Sequence, residues 1–279
     1  MERRRLIATG LALGAAALGL SGAARSRKRQ RPIQQHDLVL VHGGGVNAHL
    51  WDGTVALLNS ATNTPFRRIL QLDIPGCGTK QGMDTSRMSR RDVARSLNDE
   101  VRSAGFSKPI LVCHSAGNFL MPDMVLDGAY SQVCNLEGPV LLAGELGGGI
   151  FGKGLIGSDP AYVGNPVDPA KVSAYELRHA QFCRDLPQEE CDRYVAESLK
   201  EVIPRSLMNE PAIALRPEQF PPAAYIIARR STVFPVEWQR RYAARLGPKV
   251  RIAEIEADHL APKTRPGLVA SALLGLYAK

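Results

Sequence analysis

Pro109-Ile110-Leu111-Val112-Cys113-His114-Ser115-Ala116-Gly117 is the stretch that decides the fold of this chain. Ile110, Leu111 and Val112 form a short apolar run without polar alternation, the pattern of a strand covered on both faces in a parallel sheet. His114, Ser115, Ala116 and Gly117 follow, and then a helix-like segment from Asn118 to Asp127. Ser115 is thus expected at a strained strand-to-helix corner, exposed at the top of a sheet, with the N–H of Ala116 free to stabilise an oxyanion. The bend needs small residues two before and two after the serine. Cys113 and Gly117 fill these places, a near-match to G-x-S-x-G with cysteine for the first glycine.

Two further segments fall in the matching order. Upstream, Asp37-Leu38-Val39-Leu40-Val41 reads as another short strand and runs into His42-Gly43-Gly44-Gly45, the HGGG type of oxyanion loop. Glycines there let the backbone approach a ligand closely and aim an N–H at it. Downstream, Val250–Ile255 reads as a late strand leading to Ala257-Asp258-His259-Leu260, with a terminal helix at about Arg265 to Tyr277. A histidine after the last strand is where the general base belongs. This context separates His259 from His36, His49 and His179 among the six histidines.

These segments resemble the α/β-hydrolases, more narrowly the small cofactor-free methylesterase and hydroxynitrile-lyase-like branch. The matching residues are His42-Gly43-Gly44 with Trp51 downstream, Asp73-Ile74-Pro75-Gly76-Cys77-Gly78, Cys113-His114-Ser115-Ala116-Gly117 and Asp258-His259. Phe182-Cys183-Arg184-Asp185-Leu186-Pro187 is similar to the family's cap segment, and the resemblance spans roughly residues 36–279. It implies an α/β fold, a mainly parallel sheet covered by helices on both faces with an inserted helical cap. It also implies a serine hydrolase acting on a small, largely apolar ester or related acyl compound. In that reading Ser115 attacks, His259 carries the proton, and the N–H groups of Gly44 and Ala116 hold the oxyanion. His42 and Trp51 complete the oxyanion and substrate-binding set, with Phe151, Phe119, Leu120 and Met121 as further pocket candidates. The same constellation also serves cyanohydrin cleavage, so a lyase is an alternative chemistry.

The chain departs from the family at the catalytic acid. An aspartate is expected after the strand Ala223–Ala228, and Ser231 stands there, with no carboxylate between Tyr225 and Val236. Loss of the acid from a working triad costs on the order of 10⁴ in kcat. Three explanations stay open: a relocated acid, a slow Ser–His dyad, or a hydrolase fold that binds a small molecule without turnover. The candidate for a relocated acid is Glu145, directly after the apolar run Pro139-Val140-Leu141-Leu142-Ala143-Gly144, read as a core strand. Asp258 is expected to point away from the neighbouring ring of His259.

The amino terminus reads as an address. Arg3-Arg4-Arg5 precedes an uncharged Ala-, Gly- and Leu-rich stretch from Leu6 to Ala24, and Ser21 and Ala23 supply small residues for cleavage. Residues 1–24 are expected to be a twin-arginine-type signal peptide for export to the periplasm or beyond, with an uncleaved anchor as the rival and the only membrane contact. Residues 25–35 form a basic linker. Residues 1–31 hold eight basic side chains and one acidic, so +7 of the formal +8 net charge sits there. The remaining domain is nearly neutral, which removes the case for a nucleic-acid partner.

Residues 36–279 fit one α/β domain, with helical segments at Ala48–Asn59, Arg90–Ala104, Asn118–Asp127, Pro235–Leu246 and Arg265–Tyr277. From about 147 to 220 the alternation breaks, and this region is read as the cap, with helix-like stretches at Lys171–Cys183 and Glu189–Glu201. Gly147-Gly148-Gly149-Ile150-Phe151-Gly152 matches G-x-G-x-x-G formally but lies outside the first βα unit, so it reads as a cap hinge and not a dinucleotide site. The sequence has no C-x-x-C pair, no H-E-x-x-H and no carboxylate cluster at metal-ligand spacing, and neither metal nor cofactor is expected. Cys183 and Cys191 lie too far apart to bridge on one straight helix, about 12 Å from the rise per residue. They meet only if Pro187 starts a new helix, and that alternative stays open.

Overall fold

The computed structural model describes residues 35–151, 155–157, 165–213 and 215–278. By internal contacts the chain divides into Met1–Pro32 and Ile33–Lys279. The signal segment 1–24, nearly all of the basic linker and the side chain of Phe151 lie outside the described residues.

Six parallel strands form one sheet in the order β2-β1-β3-β4-β5-β6. They are β1 (His36–Val41), β2 (Phe66–Leu72), β3 (Ile110–His114), β4 (Gln132–Leu136), β5 (Ala223–Ala228) and β6 (Arg251–Ile255). Strands β3 and β5 are buried at every residue. Successive side chains point to opposite faces, and the core divides accordingly. Val39, Val41, Leu111, Cys113, Val133, Tyr225 and Ile227 enter one apolar layer, while Leu38, Leu40, Ile110, Val112, Cys134, Leu136, Ala224 and Ile226 enter the other.

Helices cover both layers. On the first side lie α2 (Arg90–Ser103), α3 (Met121–Asp127) and α8 (Val236–Arg245); on the second lie α1 (Asp52–Ser60), α9 (Ala261–Thr264) and α10 (Pro266–Tyr277). Helix α2 begins with a capping box in which Ser89 and Asp92 satisfy each other's backbone N–H. It buries the stripe Val93, Ala94, Leu97 and Val101. Helix α10 buries Val269, Ala270, Leu273, Leu276 and Tyr277 in the same way. Between β4 and β5 lie α4 (Gly147–Phe151), α5 (Ala174–Phe182), α6 (Gln188–Ser198) and α7 (Ser206–Asn209). No helix among the described residues is long and apolar enough to cross a membrane.

One sequence expectation changes and one open alternative is decided. The core strand after the serine corner is Gln132–Leu136, not Pro139–Gly144, which forms no strand and leaves Leu142 exposed. Pro139 has no N–H for a ladder, whereas Gln132, Val133, Cys134, Asn135 and Leu136 pair with β3 along their whole length. The second concerns the two cysteines. Helix α5 ends at Phe182, Pro187 caps a separate α6, and Cys183 and Cys191 meet in a disulfide with Cα atoms 5.3 Å apart.

Candidate active site

The strand order reverses between β1 and β3, and ligands in such sheets bind at that crevice, beyond the carboxyl ends of the strands. There β1 delivers the glycine loop, β3 delivers Ser115, β4 delivers Glu137 and β6 leads to His259. A cavity of about 230 Å³ opens at this place, lined by Gly44, Ser115, Ala116 and His259 and by residues from the region between β4 and β5.

Ser115 has φ +50°, a left-handed conformation that costs a non-glycine residue energy and that the surroundings must hold. Three glycines make this corner sterically possible. A Cβ on Gly43 would lie 2.7 Å from the Ser115 Cβ, one on Gly117 2.3 Å from the His42 carbonyl, and one on Gly138 2.6 Å from the Ser115 carbonyl. Ala116 lies in the first turn of the 3₁₀ segment Ser115–Phe119, where N–H groups have no intrahelical acceptor. Gly44 lines the cavity beside it. Phe119, Leu120 and Met121 pack instead into the apolar layer beneath.

His259 is buried, and its Nδ1 donates to the Glu137 carboxylate. A carboxylate only accepts, so Nδ1 carries the proton and Nε2 is left as a base. The ring stacks on Phe182 of α5 at a centroid distance of 6.3 Å and touches Phe234 at 6.1 Å. Glu137 is fully buried and has φ +41°. Its N–H donates to the Ile226 carbonyl, and the following Gly138 exchanges two hydrogen bonds with the Tyr225 hydroxyl. Burial pushes the Glu137 carboxyl up, but the two histidines facing it, His259 first and then His114, outweigh burial and hold it below the usual carboxylate range.

The sequence reading places its candidate acid at Glu145, and in the structure it is the Glu137 carboxylate that meets His259. Glu145 pairs with Arg245 at 2.8 Å and accepts from the Leu142 N–H, and its carboxylate is not bonded to His259. Because the strand ends at Leu136, the residue directly after it is Glu137. Ser231 sits opposite, donating its hydroxyl to Glu137 and accepting from the N–H groups of Val233 and Phe234 at 3.0 Å. Asp258 is turned away from the ring toward the Thr232 N–H at 2.9 Å, and burial raises its carboxyl to about 6.

His42 and Trp51 are not on the cavity. The His42 Nδ1 donates to the Gly43 carbonyl at 2.7 Å and Nε2 accepts from the Ile74 N–H at 2.9 Å, so the ring braces the glycine loop. Burial lowers its pKa to about 4 and keeps it neutral. Trp51 is fully buried and meets His114 edge-on at 6.3 Å. His114 itself went unread in the sequence. Its Nε2 donates to the His259 carbonyl at 2.9 Å and lies 3.7 Å from the Glu137 carboxylate. It thereby ties the serine corner to the histidine loop. The only hint in the sequence is its place next to Ser115.

A sheet of this order with a serine corner and an acid-bound histidine at one end defines a hydrolase architecture. The chain belongs to the alpha/beta hydrolase family, whose model matches residues 38–272. No curated protein sequence matches it. An extracellular alpha/beta-hydrolase from a Paenibacillus species, which shares structural and functional homology with Tobacco Salicylic Acid Binding Protein 2, superimposes with a TM-score of 0.67. It is 16% identical, and the match covers 88% of this chain and 99% of that one. The pyrethroid hydrolase PytH gives 0.65 at 19% identity over 86% and 97% of the two chains. The methylesterase MES16 from Arabidopsis gives 0.63 at 21% identity over 86% and 98%. At these identities the likeness establishes the fold.

Proposed function

We propose that this protein is a serine hydrolase that cleaves a small ester through an acyl-enzyme, with Ser115 as nucleophile, His259 as general base and acid, and Glu137 as the orienting acid. The carrying observation is the Glu137 carboxylate on His259 Nδ1, with His259 and Ser115 both lining one cavity. The Ser115 oxygen adds to the ester carbonyl while His259 Nε2 takes its proton, and the N–H groups of Gly44 and Ala116 receive the oxyanion. The alcohol leaves with the proton from His259. Water, deprotonated by the same nitrogen, then releases the acid and restores Ser115.

The case for a non-catalytic binding protein rested on the missing acid after β5. With Glu137 bound to both His259 and Ser231, that case loses its support. The esterase and hydrolase neighbours favour the ester reading, and the Cys183–Cys191 bond favours an oxidising compartment and hence export. The test is a fluorophosphonate probe on the purified domain. The expected result is labelling at Ser115, absent in Ser115→Ala and sharply reduced in Glu137→Gln. Folded protein that takes no label overturns the proposal.

A further inference from the structure

Among the described residues that line the cavity Arg178 is the one cation, and nothing in the reaction above uses it. It sits on α5, and beside it the polar lining among the described residues is Ser115, His259 and Gln181. Its Nη1 donates to the Gln181 side-chain oxygen at 2.9 Å and reaches the Gly44 carbonyl at 3.4 Å. Its Nε and Nη2 donate to no described atom, and no carboxylate among the described residues pairs with it. The nearby Glu201 is already engaged by Asn47 at 2.8 Å, the Gly78 N–H at 2.7 Å and Gln81 at 3.2 Å.

The guanidinium has a built seat. Gly45 has φ +73°, and a Cβ there would fall 2.4 Å from the Arg178 Cζ and 2.8 Å from Nη2, so only glycine leaves room for the plane to lie against the loop. Phe182 also offers its ring, 5.6 Å from Cζ to centroid. The Cys183–Cys191 bond closes α5 immediately beyond. Burial disfavours the charge, yet a guanidinium does not give up its proton in a protein. A half-buried cation without a counterion is costly unless a ligand supplies one.

Resting on the hydrolase reading, we infer that the substrate is an ester carrying a carboxylate, which the free N–H groups of Arg178 bind while Gly44 and Ala116 face the ester carbonyl. The planar fork matches a carboxylate in bidentate fashion. Ile156, Leu177, Ile203 and Met208 line the rest of the cavity and suit a short apolar spacer between the two groups. The expectation of a largely apolar ester is therefore sharpened to a monoester of a short dicarboxylic acid or its equivalent in charge and length.

The test compares initial rates on monomethyl glutarate and on methyl hexanoate, a neutral ester of similar length. Wild-type protein is expected to favour the anion in kcat/KM. Arg178→Met is expected to lower the anion-to-neutral ratio by about ten- to hundredfold, the worth of a hydrogen bond to a charged group, with Arg178→Lys recovering part of it. A ratio that Arg178→Met leaves unmoved, with both rates falling together, overturns the inference and makes Arg178 a prop for the glycine loop. Turnover of neither ester counts against the hydrolase reading instead. Calorimetric binding of monomethyl glutarate to Ser115→Ala, with and without Arg178→Met, then decides the anion site by itself: binding lost with Arg178 supports it, and binding absent or unchanged overturns it.

Discussion

Ser231 donates its hydroxyl to the carboxylate of Glu137. Ser231 follows β5, where the family's acid is expected, and Glu137 follows β4, one strand closer to the serine. The two loops are neighbours because β4 and β5 pair directly. A carboxylate from either loop can therefore serve one histidine, and the vacated place supplies a hydrogen bond to the occupied one.

This arrangement predicts an exchange. Glu137→Gln should lose on the order of 10³–10⁴ in kcat. Adding Ser231→Asp should return at least about tenfold of that loss by placing a carboxylate in the adjoining loop, whereas Ser231→Asp alone should reduce activity because two buried carboxylates then face each other. Steady-state kcat/KM on any accepted ester checks all three variants, and a double variant no better than Glu137→Gln refutes the exchange.

Glu145→Gln makes the opposite forecast. Its partner Arg245 and its own carboxylate are both partly exposed, 26% and 34%. Activity should stay within about twofold and stability should fall by at most about 1 kcal/mol, as for other surface pairs. Thermal melts and the same ester assay measure both quantities.

Crowding at the serine corner separates two adjacent glycines. An alanine at Gly43 places its Cβ 2.7 Å from Ser115 Cβ, whereas one at Gly44 meets only Ile203 Cδ1 at 3.3 Å and Ala116 Cβ at 3.7 Å. Gly43→Ala should therefore lose more than about tenfold in kcat through displacement of the loop. Gly44→Ala should act mainly on KM by narrowing the cavity. Equal effects on kcat would contradict this account.

Asp37 sets a pH dependence of stability. Its buried carboxylate accepts from Arg68 and Arg67, and the Arg68 hydrogen bond leads the pull of its pKa down to about 2. A depressed acid stabilises the fold above its unfolded value, about 3.9, and that contribution is lost as pH falls toward 2. With both arginines partly exposed, Asp37→Asn should cost about 1–2 kcal/mol at pH 7, and the gap from wild type should close between pH 4 and 2. Denaturant titrations across that range measure it.

Reduction of Cys183–Cys191 should destabilise the fold by about 2–3 kcal/mol, the loop-entropy value for a closure of this length. Helix α5 carries Leu177, Arg178 and Gln181 into the cavity, so KM should rise more than kcat falls. The three free cysteines, Cys77, Cys113 and Cys134, are buried, so a thiol assay on folded protein should register the pair alone. Melting curves and kinetics with and without reductant give the readout.

The sequence by itself determined the sheet class, the serine corner, the glycine loop and the terminal histidine. Each is written in local chemistry: an unbroken apolar run, small residues where backbones crowd, and position at a strand end. It did not determine which carboxylate meets His259, because Pro139-Val140-Leu141-Leu142-Ala143 is more apolar than Gln132-Val133-Cys134-Asn135-Leu136 and propensity cannot say which run finds partners. Pairing with β3 and β5 decided that, and moved the strand end from Gly144 to Leu136. His42, Trp51 and His114 likewise took supporting places that depend on which atoms meet across the fold. Arg178 is one of many arginines in the chain, and only the seat of α5 against Gly45 makes it a cavity cation.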